Sequence, residues 1–163
     1  MKHLSRVLLL AITLLSASNA PAQSVQMPEI NAFLPKVVDV KPGEPSALDG
    51  LWTISSIDKN VRIDRGRIYA IDSWNHMLVL KVKPGMVVIK DVEEQDIGVY
   101  SGYDMPLTGE WRAELTGDRI LDCRVGKARY QMIPQQLDDP EAFNKLFKQV
   151  RARESAQSED DAS

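Results

Sequence analysis

The chain has 163 residues, a formal net charge of −3, 44% hydrophobic and 26% charged residues, two His and one Cys. This length and composition suit one modest globular domain, and they exclude a large multidomain enzyme, a collagen-like fibre, a disulfide-rich scaffold and a wholly disordered chain. The acidic balance also argues against a nucleic-acid binder, because binding to phosphate needs a basic face.

Residues 1–22 have the pattern of a secretory signal peptide. Lys2 and Arg6 precede an apolar run over 7–15, and Ala20 and Ala22 supply the small side chains of a cleavage site. The run is far shorter than the roughly 20 residues that span a bilayer, and no later segment qualifies. We therefore expect a soluble protein of the bacterial envelope, periplasmic or secreted, cleaved after Ala22.

Cleavage would leave one His and one Cys in the chain. The remaining 141 residues have 18 basic and 23 acidic side chains, net −5, and their only His and Cys are His76 and Cys123. One chain cannot assemble a Cys₄, Cys₂His₂ or His₃ zinc site from this set, nor an internal disulfide. The sequence thus predicts no metal site, no cofactor and no catalytic residue.

Residues 23–48 are rich in proline, with Pro28, Pro35, Pro42 and Pro45. Proline fixes φ and removes a backbone donor, so this segment is predicted to be an extended arm or linker. Residues 36–40 could alternatively pair as an edge strand.

Residues 49–155 are predicted to form a single β-rich domain. Short runs of alternating apolar and polar residues are separated by turn formers such as Pro84-Gly85. The predicted strands are 51–57, 61–64, 67–72, 76–83, 86–91, 97–100, 110–115, 119–125 and 128–133. Short strands with tight connections predict a mainly β fold, a small antiparallel β-barrel or a strongly bent sheet.

The alternation also predicts which side chains face inward. Trp111, Ala113 and Leu115 share one face of their strand, opposite three charged residues. The same parity places Leu121, Cys123 and Val125 inside, together with Ala128, Tyr130 and Met132, and it groups His76 with Leu78, Leu80 and Val82.

One amphipathic helix is predicted at residues 139–154. Asp138 or Asp139 can cap its N-terminus and Pro140 suits its first turn. Its apolar stripe, which should lie on one end or flank of the sheet, is Phe143, Leu146, Phe147 and Val150. Residues 156–163 are polar and acidic, and we expect them to be disordered.

Two Gly-x-Trp segments, Gly50-Leu51-Trp52 and Gly109-Glu110-Trp111, form a weak internal repeat. In the first of them the chain resembles the lipocalin-like and calycin superfamily, whose members open their first barrel strand with G-x-W after an exported N-terminal segment. The resemblance covers these three residues and the expected architecture. It implies binding within or at the mouth of a barrel, not catalysis. Bacterial protease inhibitors with lipocalin-like barrels usually carry a disulfide, which this chain cannot form.

The candidate binding residues are Trp74, His76, Tyr100 and Tyr103. Trp74 is predicted in a loop, and the two tyrosines flank Ser101-Gly102. Exposed Trp and Tyr favour recognition because they bury a large area and keep a polar group. The alternative is that they belong to the core, as we expect for Trp52 and Trp111.

Other side chains have simpler interpretations. The inward parity of Cys123 predicts a buried small residue rather than a nucleophile. The acidic group Asp91, Glu93, Glu94 and Asp96 is expected in a solvated loop, and Arg62, Arg65 and Arg67 on an exposed edge with ion pairs.

The sequence therefore favours a non-enzymatic binding protein of the bacterial envelope, which recognises a protein or a small hydrophobic ligand through aromatic loops. Three alternatives remain: an enzyme inhibitor or immunity protein that uses the 23–48 arm, an envelope hydrolase that uses His76, and an assembly factor that docks through the helix stripe.

Overall fold

A computed structural model describes residues 30–76 and 80–160, with side chains to residue 158. These residues form eleven strands, a 3-10 turn at Val37–Asp39 and one α-helix. The strands are β1 Ile30–Asn31, β2 Gly50–Ile54, β3 Lys59–Asp64, β4 Arg67–Ala70, β5 Trp74–His76, β6 Leu80–Val82, β7 Val87–Asp96, β8 Val99–Asp104, β9 Gly109–Leu115, β10 Leu121–Val125 and β11 Ala128–Leu137; the helix is α1 Pro140–Asp160.

Eight of these strands close into an antiparallel barrel, in the order β10-β11-β2-β3-β4-β7-β8-β9, with β9 pairing back to β10. The prediction of a mainly β fold with one C-terminal helix is confirmed. The predicted inward parity is also seen, because Trp111, Ala113 and Leu115 are buried while the residues between them are exposed. Closure leaves the barrel without an unpaired edge.

Gly50 allows the barrel to close between β2 and β11. A Cβ atom built on Gly50 would lie 2.3 Å from the carbonyl oxygen of Gln136 and 2.9 Å from the Cα of Leu137. Strand β11 has an irregular register here, between Pro134 and Gln136. Two residues on, Trp52 is fully buried, and its indole N–H donates to the carbonyl oxygen of Leu48 at 2.8 Å. The first Gly-x-Trp segment thus combines a close backbone approach with a large buried ring.

The proline-rich segment packs on the barrel over its described part. Leu48 is buried, and Val87 N–H donates to the Pro35 carbonyl at 2.8 Å. Buried Arg67 donates to the carbonyl oxygens of Val37 and Val40, at 3.1 and 2.7 Å. The described part of the segment is thus attached to the barrel through the backbone carbonyls of Pro35, Val37 and Val40. Residues 36–40 contain the 3-10 turn and one isolated bridge, not an edge strand.

A small second sheet has the order β1-β6-β5, and its strands β5 and β6 are inserted in the chain between β4 and β7. β1 pairs with β6 in parallel, and β5 pairs with β6 in antiparallel fashion. The predicted strand 76–83 is therefore two short strands, and residues 77–79, including Leu78, lie outside the described residues. The parallel pairing joins segments fifty residues apart, which a local pattern does not report.

The helix closes one end of the barrel. Asp139 caps it, accepting the Ala142 backbone N–H at 2.9 Å, and Phe143 packs edge-on against Trp52 with ring centroids 6.1 Å apart. Further along, Arg153 donates to the carbonyl oxygen of Ile97 in the β7–β8 turn at 2.7 Å. The helix extends to Asp160, so residues 156–160 continue it where disorder was expected. No helix among the described residues is long and apolar enough to cross a membrane.

Candidate functional site

The end of the barrel opposite α1 contains a cavity of about 210 Å³. Its inner wall is formed by inward-facing aliphatic residues of β2, β4, β7 and β11, namely Ile54, Ile68, Ile89 and Met132. The β2–β3 and β8–β9 turns form part of its rim. An apolar hollow of this kind in the mouth of a β-barrel is a typical place for a small-molecule site.

The rim of the cavity carries two exposed apolar side chains. Ile57 in the β2–β3 turn is 43% exposed, and Leu107 in the β8–β9 turn is 40% exposed. Turns at a barrel end usually carry polar residues, so paired aliphatic side chains here extend the apolar lining to the solvent.

Two of the predicted site residues, Trp74 and His76, lie together at this cavity. Both belong to β5, where they are separated by one residue and so point to the same side of the strand. Trp74 is half-buried and packs against the barrel core. The Nε2 atom of His76 is buried and has no hydrogen-bond partner among the described residues. A buried polar atom without a partner is uncommon, so this nitrogen is available to a polar group that enters the cavity.

Asp104 is the acidic residue of the cavity. It ends β8, is 6% exposed, and accepts the backbone N–H of Leu107 at 2.6 Å, which holds the β8–β9 turn. Burial raises the pKa of its carboxyl, while the Leu107 hydrogen bond and the charge of nearby His76 act in the opposite direction. The net effect is an acid that is harder to ionise than one in water.

Tyr130 adds a hydroxyl group to the same cavity. Its oxygen accepts the indole N–H of Trp111 at 2.9 Å. Burial raises the pKa of its phenol well above the usual value, so the group keeps its proton. The cavity therefore combines an aliphatic wall with three polar groups, from His76, Asp104 and Tyr130.

The two other predicted residues are not part of this site. Tyr100 is 3% exposed and belongs to the core, with its hydroxyl donating to Glu94 Oε1 at 3.4 Å. The interpretation of Tyr100 as an exposed recognition residue is therefore wrong, because β8 continues past it and places it on the inward face. Tyr103 is 40% exposed on the outer face, beneath the Lys90 amine at 5.8 Å from its ring centroid.

The structure offers no activated nucleophile at Cys123. Its side chain is buried between Leu121 and Val125, and burial raises the pKa of the thiol far above its usual value. A thiol that keeps its proton is a poor nucleophile. Ser56 lines the same cavity as His76, but the unpartnered Nε2 shows that no hydrogen bond joins that nitrogen to a hydroxyl in the described residues.

The charged groups singled out in the sequence lie elsewhere. Asp91 to Asp96 form the second half of β7 instead of a loop. Arg62 pairs with Asp138 at 2.5 Å and Arg65 with Asp64 at 3.3 Å, as expected for an exposed edge, whereas Arg67 is buried. The helix stripe is largely unavailable for docking, because Phe143, Leu146 and Val150 are buried in the chain itself.

Sequence reasoning missed Asp104, Ile57 and Leu107 as site residues. The strand prediction ended at residue 100, so the shared parity of Tyr100, Gly102 and Asp104 was not used. An acidic residue on the inward face of a barrel strand is the signal that could have found the site.

Comparisons with protein-family models, curated proteins and solved structures find no match.

Proposed function

We propose that this chain is an exported binding protein of the bacterial envelope, which holds a small hydrophobic ligand in the mouth of its barrel. The observation that carries the proposal is the apolar cavity of about 210 Å³, in which the buried Nε2 of His76 has no partner in the part of the chain that the structure describes. The G-x-W likeness to lipocalin-like proteins, which use a barrel mouth for binding, supports the same function.

The size of the cavity limits the ligand. An engineered apolar cavity of about 150 Å³ accommodates benzene, so about 210 Å³ suits one ring with a short side chain. A long acyl chain would extend past Ile57 and Leu107 into solvent.

A two-dimensional NMR titration with 2-phenylethanol tests the proposal. We expect a Kd of about 1 mM or tighter, with amide shifts concentrated at the cavity residues Leu107 and Tyr130. The Ile57→Glu variant should weaken binding by about tenfold, because it removes apolar contact at the rim and adds a charge there. An absence of cavity shifts in the unmodified chain would overturn the proposal.

Ile97→Glu is the matched control. Ile97 is 41% exposed, close to the 43% of Ile57, and it lies in the β7–β8 turn at the closed end of the barrel. This variant should bind 2-phenylethanol within about twofold of the unmodified chain. The new charge lies outside the cavity, so it removes no apolar contact with the ligand. An equal loss in both variants would show that the mouth is not the binding site.

A further inference from the structure

We propose that the ligand of the barrel mouth carries a primary ammonium group on a small apolar body; this inference rests on the proposed function. It concerns the charge of the ligand, which the apolar wall of the cavity does not specify.

The cavity has an acid and lacks a fixed cation. Asp104 is its carboxylic acid, and no lysine or arginine occurs among the described residues that line it. The other titratable groups at the cavity are His76 on β5 and Tyr130 on β11. A carboxylate ligand would face the Asp104 carboxylate with no lysine or arginine among the described lining residues to pair with it, whereas an ammonium group would pair with Asp104.

The open hydrogen-bonding positions fit a donor-rich head group. One oxygen of Asp104 accepts the Leu107 N–H, which leaves its second oxygen as an acceptor for a ligand. The unpartnered Nε2 of His76 accepts a hydrogen bond when the ring carries its proton on Nδ1. An ammonium group has three donors and can satisfy both acceptors at once, while a neutral hydroxyl has one donor.

Trp74 lies beside these two residues at the cavity and gives the ammonium group a further favourable neighbour. The face of an indole ring attracts cations, and this attraction is stronger where water is excluded. Because Trp74 is half-buried and packs on the barrel core, its ring is held in place before a ligand enters. Acid, acceptor and aromatic ring therefore line the same cavity.

Three probes with the same phenyl body and different head groups test this inference: 2-phenylethylamine, 2-phenylethanol and phenylacetate. In NMR titrations at neutral pH we expect the amine to bind about tenfold or more tightly than the alcohol, and phenylacetate to bind most weakly. If the alcohol binds but the amine has no advantage, or phenylacetate binds best, the inference fails while the proposed function stands. If none of the three binds in the cavity, the proposed function fails.

The Asp104→Asn variant assigns the preference to one residue. Asparagine keeps an oxygen for the Leu107 N–H and removes the charge, so the amine should fall to within about twofold of the alcohol, whose own affinity should be unchanged. Glu93→Gln makes the same change of net charge on the exposed part of β7, outside the cavity, and should leave the amine preference intact. An amine preference that persists in Asp104→Asn would overturn the inference.

Discussion

Asp104 has a second consequence at the scale of the single residue, because burying a carboxyl affects folding as well as binding. Its pKa in the folded chain is raised above 3.8, chiefly by burial. The folded state therefore holds the proton more tightly than the unfolded chain does. Stability from this group is fully present below pH 3.8 and is lost as the pH rises through the raised pKa.

We predict that Asp104→Asn is more stable than the unmodified chain at pH 7 and that the difference disappears near pH 3.5. Asparagine avoids burying a charge and can still accept the Leu107 N–H. Urea denaturation of both proteins at the two pH values measures the difference. Asp49 also has a raised pKa, but it is present in both proteins and cancels in the comparison. A variant less stable at pH 7 would contradict the prediction. A stability gain combined with a loss of amine binding would mark Asp104 as a residue kept for function.

At the scale of the element, strand parity could be predicted from the sequence where charged and apolar residues alternate strictly. Strands β9 and β10 are such cases, and their inward residues were identified correctly. Parity did not help at β8, because the predicted strand ended at residue 100 and the strand in fact continues to Asp104. Tyr100 was therefore predicted to be exposed, although it faces inward. The contact of β5 with the barrel mouth depends on the insertion of β5 and β6 between paired strands β4 and β7. Such long-range pairing leaves no local pattern in the sequence.

The two Gly-x-Trp segments look alike in sequence but differ in what their glycines do. A Cβ at Gly50 would collide with β11 backbone at 2.3 Å, whereas a Cβ at Gly109 would meet Val125 Cγ1 at 3.6 Å, an ordinary contact. Their tryptophans also differ, since Trp52 donates to a backbone carbonyl and Trp111 to the Tyr130 hydroxyl. The two segments therefore share a sequence pattern but not a structural role, because only the glycine of the first segment is needed for a close backbone approach.

We predict that Gly50→Ala lowers the free energy of unfolding by about 2 kcal/mol or more, because β2 and β11 must separate to admit the methyl group. This corresponds to a fall in Tm of about 5 °C or more for a domain of this size. Gly109→Ala, the matched control, should be neutral or slightly stabilising, since alanine restricts the unfolded chain. Thermal denaturation followed by circular dichroism measures both variants. Equal effects would contradict the assignment of the close approach to Gly50.

At the scale of the whole molecule, the barrel has two unlike ends. Helix α1 covers one end, where Phe143 and Val150 are buried, and the other end has the cavity with its apolar rim. Two buried tryptophan rings lie in the core. Trp52 packs against Phe143 of the helix, and Trp111 donates a hydrogen bond to the hydroxyl of Tyr130, which lines the cavity. The helix thus covers one end of the barrel, and the candidate binding cavity opens at the other end.

The export proposed for this protein can be tested at residues 1–22, which have the pattern of a signal peptide. We predict that the protein recovered from the periplasmic or secreted fraction begins at Gln23, because Ala20 and Ala22 fit the small-residue positions of the cleavage site. Native mass spectrometry without reductant gives the mass of the chain. It should also find no disulfide-linked dimer, since Cys123 is buried.

The Ala22→Tyr variant tests the cleavage site itself. A bulky ring at the position before the cut should leave the precursor unprocessed, while Gln23→Tyr, one residue beyond the cut, should be processed as before. A mature chain beginning at Pro21, or an intact Met1 chain in the exported fraction, would contradict the assignment. Because the described residues that line the cavity run from Ile54 to Met132, we expect the chain that begins at Gln23 to carry the whole proposed binding site and to bind 2-phenylethanol.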